Sequence, residues 1–499
     1  MLKLNKVSYR YSESPNPVLD NITLRFSKGW TGIIGANGSG KTTLLKVASQ
    51  LFEPTEGTVE STGVVYYCDQ RTDALPKNYK RFIESYEKIA FKVRQQLSID
   101  INWFERWSTL SHGERKRCQI ATALFNEPDI LAIDEPTNHI DAEAKETLIE
   151  ALKTFTGTGI GLIVSHDRHL LNELCTTIVA LEENGYQFIH GNYDTYELER
   201  QKQIKHLVSL KENLNKEIKK LDKEVKTRKK KASQSDKRIS KKNLSHKDHD
   251  TKSKIDAARL TGKDAVDNKI YSNLKSRMEK KISEKESIGS TAKREVGINL
   301  SGTHYSKEIV LHIREGKINL QHGKDLSYKN LYIRRNDKIG LTGKNGSGKS
   351  TLIERIVKSL PKDKLPFSYI PQEISVKQSK LILNDALNLN QEEKGMIFTI
   401  ISRLNSDPKR LLESKLPSPG EIRKLMLAYA ILKEKALIIM DEPTNHMDLV
   451  SIESVEDALI NFKGALLLVS HDQVFLKNIV SIHWKISSNE GKNFRLQCL

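Results

Sequence analysis

Short apolar runs alternate with helix-like apolar spacing towards both ends of the 499-residue chain. Uninterrupted apolar runs at residues 130–133 and 437–440 are typical of central strands buried on both faces of a sheet. Each run follows a stretch whose pattern predicts a strand, a glycine-rich loop and a helix. The pattern therefore predicts an α/β sheet wrapped by helices near each end of the chain, with a short helical subdomain between Gln70 and Ser111.

The middle of the chain has a different period. One apolar stripe with helical spacing consists of Leu210, Leu214, Ile218, Leu221 and Val225. A second stripe, with a constant spacing of four, consists of Val266, Ile270, Leu274, Met278 and Ile282. Two helices can bury such stripes against each other, so the pattern predicts an antiparallel helical hairpin with its tip at about residues 239–250.

The hairpin segment also carries most of the basic excess of the chain. The formal net charge is +18, and residues 201–290 hold 27 Lys and Arg against 13 Asp and Glu, a net of +14. A solvated, charged helix is the simple structural reading of such a run. A charge imbalance this large and one-signed instead favours a localised surface that binds a polyanion.

Composition excludes several classes of protein. No apolar run approaches the roughly 18 residues of a membrane span. Residues 1–11 alternate like a strand and lack the apolar core of a signal peptide. The four cysteines are far apart and form no metal-site or redox pair. We therefore expect a cytoplasmic protein.

Three sequence motifs occur twice in the same order. The first is Gly35-Ala-Asn-Gly-Ser-Gly-Lys41-Thr42, repeated as Gly343-Lys-Asn-Gly-Ser-Gly-Lys349-Ser350. The second is Asp134-Glu-Pro-Thr-Asn-His139, repeated as Asp441-Glu-Pro-Thr-Asn-His446, and the third is Ser165-His-Asp167, repeated as Ser470-His-Asp472. The internal repeat predicts homologous domains at residues 1–198 and 291–499, joined by a linker at residues 199–290.

The first motif is a phosphate cradle. Its glycines let backbone N–H groups turn inward, and the following helix directs its positive end at the phosphates. Lys41 and Lys349 would reach the β- and γ-phosphates of ATP, while Thr42 and Ser350 would bind Mg²⁺. The candidate nucleotide-binding residues of the two loops are Gly35, Asn37, Gly38, Gly40, Lys41, Thr42 and Thr43, and Gly343, Asn345, Gly346, Gly348, Lys349, Ser350 and Thr351.

Acidic residues follow the buried apolar runs. Asp134 and Asp441 are placed to hold Mg²⁺, and Glu135 and Glu442 are placed to polarise the attacking water. A buried acidic pair without a cation would be costly, which argues against a purely structural role.

Further candidates for the γ-phosphate end of the site are two glutamines and two histidines. Gln70 and Gln372 follow strand-like runs, where each could sense the γ-phosphate and bind Mg²⁺. A single histidine after an apolar strand could be structural. The matched positions of His166 and His471 instead favour contact with the γ-phosphate.

Two further segments resemble capped helix starts. In Ser111-His-Gly-Glu114 and Ser418-Pro-Gly-Glu421 the serine caps the helix and the glutamate completes a capping box. The structural role does not exclude a functional one, because a capped helix start beside Gly113 or Gly420 can also bind phosphate. Ser111, Gly113, Glu114, Ser418, Gly420 and Glu421 are therefore candidate nucleotide-binding residues.

The order of these motifs, present twice, resembles the ATP-binding cassette superfamily. Two cassettes joined by a charged helical linker, with Asp-Glu-Pro-Thr-Asn-His in both, resemble its ABC-F family. The resemblance implies two ATP molecules in a head-to-tail sandwich. Lys41 would pair with Ser418 and Gly420, and Lys349 with Ser111 and Gly113.

The chain departs from the family pattern at the second capped segment. Pro417-Ser-Pro-Gly-Glu421 lacks the usual leucine and first glycine, which predicts unequal hydrolysis at the two sites. Tyr11 is placed to stack on adenine in the first site, and the sequence offers no aromatic counterpart in the second.

The resemblance also implies a function on the ribosome. ABC-F proteins insert the linker near the peptidyl-tRNA, and a basic hairpin suits ribosomal RNA and tRNA. Residues 245–263 resemble the Lsa- and Vga-type resistance members, which implies protection from lincosamides, pleuromutilins and streptogramin A, with ATP hydrolysis driving release. A housekeeping translation factor and the motor subunit of a drug exporter remain alternatives. We expect a monomer whose two cassettes pair within the chain.

Overall fold

The computed structural model describes most of the chain. The residues that it does not describe are 13–15, 139, 183–184, 240–262, 288–306, 321–323, 362–364, 409–410, 412–417, 434, 446, 490–492 and 499. The chain forms two compact units: residues 1–196 with 296–499, and residues 197–295. The predicted linker, 199–290, falls inside the second unit, while nearly all of its predicted tip lies outside the described residues.

The first cassette, residues 1–196, contains two sheets. The larger has the order β5-β6-β7-β3-β8-β9 and is parallel except for its last strand. Its strands are β3 (Gly29–Gly35), β5 (Val65–Cys68), β6 (Ile130–Asp134), β7 (Ile160–Val164), β8 (Cys175–Glu182) and β9 (Gly185–His190). The smaller sheet is antiparallel and consists of β1 (Leu2–Tyr9), β2 (Leu19–Phe26) and β4 (Glu56–Ser61).

The described part of the first cassette also contains helices. They are α1 (Lys41–Ala48), α2 (Tyr79–Glu84), α3 (Lys88–Gln96), α4 (His112–Phe125), α5 (Ala142–Lys153) and α6 (Arg168–Leu174). The short helical subdomain predicted between Gln70 and Ser111 is confirmed, because α2, α3 and two short 3₁₀ turns occupy that interval.

Two long helices form the second unit. They are α7 (Tyr193–Ile239), which begins within the first cassette, and α8 (Lys263–Ser287). Lys281 of α8 lies 3.3 Å from Glu217 of α7, so the two helices approach each other side by side. No helix among the described residues is both long enough and apolar enough to span a bilayer.

The second cassette, residues 296–499, repeats the strand order of the first. Its main sheet has the order β11-β12-β19-β18-β14-β17-β16-β15, and β10 pairs with β13 in a separate ladder. The strands are β10 (Ile309–Ile313), β11 (Gly316–Asn319), β12 (Asp325–Tyr328), β13 (Leu331–Arg334), β14 (Lys338–Gly343), β15 (Phe367–Ile370), β16 (Leu437–Asp441), β17 (Ala465–Val469), β18 (Ile482–Asn489) and β19 (Asn493–Cys498). The predicted α/β fold class, with tandem nucleotide-binding domains and a helical linker, is confirmed.

The helices of the second cassette occupy equivalent positions. They are α9 (Lys349–Ser359), α10 (Val376–Leu387), α11 (Gln391–Arg403), α12 (Pro419–Leu432), α13 (Leu449–Ile460) and α14 (Gln473–Ile479). As in the first cassette, one helix follows the glycine-rich loop and another begins at the capped Ser-x-Gly-Glu segment.

The uninterrupted apolar run before Asp134 is explained by burial on both faces of the sheet. All five residues of β6 are buried. Leu131 and Ile133 belong to one apolar cluster, whereas Ile130 and Ala132 belong to another, because successive strand residues point to opposite faces. The strand is thereby fixed on both sides, and its last residue, Asp134, is held at the carboxyl edge of the sheet.

The apolar stripes of the hairpin are largely in place, with one correction. Leu214 and Val225 of α7 are buried, and Ile270, Leu274, Met278 and Ile282 of α8 are half-buried. The prediction was wrong for Leu210, which is 38% exposed. A spacing of four drifts around a helix of 3.6 residues per turn, so the half-buried Leu207 continues the stripe instead. The side chain of Val266 lies outside the described ones.

Replacing Leu214 with Ala should loosen the hairpin, because it truncates a buried side chain of the α7 stripe. We expect a local destabilisation of about 2 kcal/mol, or roughly thirtyfold faster amide exchange in the middle of α7. The matched control is Leu210→Ala, which removes an exposed leucine of the same helix and should leave exchange nearly unchanged. Equal effects of the two substitutions would contradict the packing.

Candidate functional site

Two glycines make the phosphate-cradle loops possible. Gly40 and Gly348 immediately precede α1 and α9, and both have φ near +93°. A Cβ atom at Gly40 would lie 2.9 Å from Val18, and one at Gly348 would lie 2.8 Å from Leu320. Both the backbone conformation and the close neighbour therefore require glycine.

The loop lysines are buried and already hydrogen-bonded within their own loops. Lys41 Nζ donates to the carbonyl oxygens of Gly35 and Ala36, both at 2.9 Å. Lys349 Nζ makes the equivalent bonds to Gly343 and Lys344, at 2.8 and 3.1 Å. Burial lowers the pKa of both ammonium groups. Each amine is thus held over its loop, beside the backbone amides that can bind an anion at the start of the following helix.

The hydroxyl that follows each lysine touches the carboxylate that ends the central strand. Thr42 Oγ1 donates to Asp134 Oδ2 at 2.8 Å, and Ser350 Oγ donates to Asp441 Oδ2 at 3.0 Å. Burial raises the pKa of both aspartates. A hydroxyl beside a desolvated carboxylate provides the oxygen ligands that Mg²⁺ prefers.

Glu135 and Glu442 share an uncommon backbone conformation. Their φ angles are +46° and +50°, in the left-handed region that glutamate rarely adopts. The amide of Glu135 donates to Val164 O at 2.9 Å, and that of Glu442 donates to Val469 O at 2.8 Å, which fixes both residues to the neighbouring strand. A strained conformation held by its surroundings in both cassettes is typical of functional sites.

The glutamate carboxyl groups are almost completely desolvated. Burial, with Asp134 beside it, raises the pKa of Glu135 to about 8, and burial raises the pKa of Glu442 to about 7. The Oε2 atom of Glu135 is buried and makes no hydrogen bond, and the same holds for the hydroxyl oxygens of Ser39 and Ser347. These oxygens leave bonding capacity for groups from a bound nucleotide, metal ion or water.

A neutral histidine stands beside each glutamate. His166 Nε2 lies 3.4 Å from Glu135 Oε1, and His471 Nε2 lies 3.4 Å from Glu442 Oε1. Burial and the nearby loop lysine lower the pKa of both histidines to about 3, so both imidazoles are uncharged at neutral pH. Each can donate or accept a proton in a hydrogen bond without adding charge to the site.

A cavity of about 790 Å³, the Lys349 cavity, contains residues from both cassettes. The sequence-predicted residues of the second cassette that line it are Asn345, Gly346, Gly348, Lys349, Ser350, Thr351, Gln372, Asp441, Glu442 and His471. Ser111 and Gly113 of the first cassette line the same cavity. The head-to-tail pairing implied for Lys349 is therefore present in the structure, and no Tyr, Phe or Trp occurs among the described lining residues.

A second cavity, the Lys41 cavity, measures about 450 Å³. The predicted residues that line it are Tyr11, Asn37, Gly38, Gly40, Lys41, Thr42, Thr43, Gln70, Asp134, Glu135 and His166. Tyr11 is fixed there, with its hydroxyl 2.9 Å from Thr43 Oγ1. Ser418 and Gly420, which the resemblance pairs with Lys41, are not among the described residues that line this cavity, and the second cassette contributes Thr444 and Met447 to that lining.

Four predicted residues have structural positions beside the cavities. Gly35 and Gly343 end β3 and β14 and accept hydrogen bonds from the loop lysines. Glu114 and Glu421 complete the capping boxes of α4 and α12 with Ser111 and Ser418. The capping-box predictions are confirmed, and neither glutamate is among the described residues that line the Lys349 or the Lys41 cavity.

Two aspartates that were not predicted from the sequence connect the cassettes. The amide of Asn345 donates to Asp141 Oδ2 at 3.1 Å, and the amide of Asn37 donates to Asp448 Oδ2 at 2.9 Å. Although burial opposes it, hydrogen bonds lower the pKa of both carboxyls, from backbone amides at Asp141 and from the Ser451 side chain and then backbone amides at Asp448. The signal was present, since the repeat of the second motif extends two residues further, to Asp141 and Asp448.

A buried ion pair without a counterpart at the equivalent positions of the repeat joins the cassettes. Arg168 of the first cassette lies 2.7 Å from Glu456 of the second, and both side chains are largely buried. The equivalent positions in the repeat are Gln473 and Ile149, which cannot form an ion pair. Lys145 adds a second link, because it bonds Asp167 at 2.6 Å and His471 O at 3.5 Å.

Comparison with known proteins gives one family model that matches two segments of the chain, and relatives that align with most of it. The model of the ABC transporter family matches residues 19–138 and 326–445. Ribosome protection protein VmlR of Bacillus subtilis is 28% identical over 98% of this chain and 87% of its own length. ATP-binding protein Uup of Buchnera aphidicola is 29% identical, over 94% and 78%. Erythromycin resistance ATP-binding protein MsrA of Staphylococcus epidermidis is 27% identical, over 97% of each chain.

Solved structures support the tandem fold. The archaeal ribosome recycling factor aABCE1, solved in complex with the stalk protein aP1, superposes with a TM-score of 0.63. The match covers 98% of this chain and 89% of that one, at 17% identity. An identity this low shows the shared architecture of two cassettes in one chain and no more.

Replacing both Glu135 and Glu442 with Gln should leave ATP binding intact and lower ATP turnover about a hundredfold or more. The amide keeps the size of the side chain but cannot take a proton from the attacking water. Steady-state phosphate release and nucleotide binding, measured on the same preparation, check this outcome. A double variant with unchanged turnover would disprove the role of the two glutamates.

Replacing Arg168 with Met should destabilise the paired cassettes by about 3 kcal/mol, because Glu456 would remain buried without its cation. The midpoint of urea unfolding would report the change. The matched control is Gln473→Met, at the equivalent exposed position of the second cassette, for which we expect a change within about 0.5 kcal/mol. Similar losses in both variants would show that the ion pair contributes little.

Proposed function

Because the chain belongs to the ABC-F family of the ATP-binding cassette superfamily and hydrolyses ATP, we propose that it binds ribosomes and protects them from antibiotics of the peptidyl-transferase centre. The drug classes we propose are lincosamides, pleuromutilins and streptogramin A. Insertion of the basic linker near the peptidyl-site tRNA would carry the protection, and ATP hydrolysis would drive release.

The similarity to VmlR carries the proposal, since it extends over 98% of this chain and therefore includes the linker. That relative is named as a ribosome protection protein, and MsrA is named for erythromycin resistance. The charge of the hairpin supports the same partner. Lys216, Lys219, Lys220, Lys223 and Lys226 are all exposed along α7, and RNA is a dense polyanion that such a helix can bind through its phosphates.

The site residues would act on ATP and Mg²⁺ as follows. Mg²⁺ would be held by Thr42, Gln70 and Asp134 in the first cassette and by Ser350, Gln372 and Asp441 in the second, and it would neutralise phosphate charge. Lys41 and Lys349 would bind the β- and γ-phosphates. Glu135 and Glu442 would orient and deprotonate the attacking water, with His166 and His471 contacting the γ-phosphate.

A second candidate function is that of an ABC-F translation factor without a drug phenotype. The similarity to Uup favours it, because the identity is as high as that to VmlR and the name does not refer to resistance. Both candidates require ribosome binding. Growth on peptidyl-transferase drugs with and without the gene would distinguish them.

The proposal predicts that the purified chain restores translation by drug-treated ribosomes and co-sediments with them when ATP is present. Charge reversal at Lys229 and Lys230 should weaken ribosome binding and make it less dependent on salt. The slope of the logarithm of the binding constant against the logarithm of salt concentration should become shallower by roughly one for each phosphate interaction that the reversal removes. Reversal of Lys28 and Lys92, exposed lysines of the first cassette, is the matched control and should leave binding unchanged.

Residues 244–247, which lie outside the described residues, belong to the predicted tip. Their substitution should preserve ribosome binding and ATP turnover. The variant should no longer restore translation by drug-treated ribosomes, because the shape at the end of the hairpin would change. A chain that binds ribosomes without restoring translation under any of the three drug classes would favour the translation factor. Absence of ribosome binding would overturn both candidates.

A further inference from the structure

Each cassette contains a fully buried cation at the same position of the helix that begins with the capped Ser-x-Gly-Glu segment. Lys116 of α4 is 0% exposed and Arg423 of α12 is 1% exposed. Both lie five residues after the capping serine, Ser111 or Ser418. Burying a cation in this way is costly unless its hydrogen bonds are satisfied. The partners of these two side chains are therefore informative.

Both cations donate to backbone carbonyls of the loops that hold the site residues. Lys116 Nζ donates to Asp69 O at 2.6 Å and to Asp134 O at 3.0 Å. Arg423 donates to the carbonyl oxygens of Gln372 and Asn445. In each cassette one buried cation thus joins the capped helix to the glutamine loop on one side and to the segment at or after the end of the central strand on the other.

Lys116 connects elements that face different cavities. The start of its helix, Ser111 to Gly113, lines the Lys349 cavity. The two segments that it contacts contribute Gln70, Asp134 and Glu135 to the Lys41 cavity. A shift of α4 towards a nucleotide in the Lys349 cavity would therefore move the hydrogen-bond donor that holds the Gln70 loop and Asp134.

The neighbouring cations of α4 make a different type of contact. Arg115 donates to the carbonyls of Trp107 and Ser108, and Arg117 donates to that of Leu97. All three acceptors belong to the helical subdomain that packs with α4, so these bonds hold the subdomain together. Arg115 also lies 3.8 Å from the exposed Asp73, beyond Gln70 in the chain. Of the described hydrogen bonds of these three cations, those of Lys116 are made to Asp69 and Asp134, at the segments that line the Lys41 cavity.

We propose that Lys116 is a positioning residue that couples the two ATP sites: binding in the Lys349 cavity moves α4, and Lys116 passes this movement to Gln70 and Asp134 in the Lys41 cavity. Coupling of this kind is a free energy shared between two sites, and it acts in both directions. Arg423 occupies the same position in the second cassette, where Gln372 and Asn445 line the Lys349 cavity. The proposal requires no ribosome and goes beyond the function proposed above.

The experiment measures binding of a ribose-labelled fluorescent ATP to the full chain in a background of Glu135→Gln and Glu442→Gln, without ribosomes. We expect cooperative binding to the parent. The substitution Lys116→Met should reduce the coupling between the two binding steps about tenfold, which is within the usual range for coupled sites. Lys116→Arg, which keeps a buried donor, should retain most of the coupling. Lys349→Ala, with one cavity disabled, gives the reference for zero coupling.

The control is Arg117→Met, which removes a cation–carbonyl bond from the same helix and should leave cooperativity unchanged. Thermal unfolding without nucleotide verifies that each variant is folded. If Lys116→Met does not fold, Lys116→Gln replaces it, because the shorter amide can reach at most one of the two carbonyls and should give a partial loss. Unchanged cooperativity in a folded Lys116→Met or Lys116→Gln variant, an equal loss in Arg117→Met, or a non-cooperative parent would overturn the proposal. None of these results bears on ribosome binding.

Discussion

The structure of each site depends on two adjacent carboxyl groups buried at the carboxyl end of the central strand. Burial raises the pKa of Asp134, Glu135, Asp441 and Glu442 alike. Such groups are stable in a fold only if other elements supply partners. The loop lysine, the hydroxyl beside it and the neutral histidine all approach this pair, while a buried oxygen of Glu135 is left without a hydrogen bond. The arrangement therefore fits the cation and the attacking water of the proposed mechanism.

The two cassettes also depend on each other through polar contacts. Asp141 and Asp448 each accept a hydrogen bond from the cradle loop of the opposite cassette. A backbone amide of each cradle loop thus donates to a carboxylate of the other cassette. A change in the position of either loop therefore alters a hydrogen bond to the other cassette. Because each aspartate follows the strand and loop that carry its own glutamate, the position of one site is tied to that of the other.

Much of the fold and of each half-site was predictable because the signals are local. The buried runs end at Asp134 and Asp441, and the glycines at 40 and 348 are required by backbone conformation. Contacts between the cassettes were not predictable in the same way. The ion pair of Arg168 with Glu456 joins residues 288 positions apart, and neither belongs to a recognisable motif. The drift of the stripe from Leu210 to Leu207 follows from helix geometry, which a fixed spacing of four ignores.

The contacts between the cassettes are unequal, and this has a consequence for the two sites. The Lys349 cavity is lined by Ser111 and Gly113 of the opposite cassette and also by Lys145, Asp167 and Asp472, which belong to or adjoin the ionic contacts of the interface. The Lys41 cavity receives only Thr444 and Met447 from across the interface among its described lining residues. One site therefore has its opposing wall in place, held by a buried ion pair. In the other, Ser418 and Gly420 are not among the described lining residues. The unequal hydrolysis predicted from the sequence around Ser418 would then have a second basis in the interface itself.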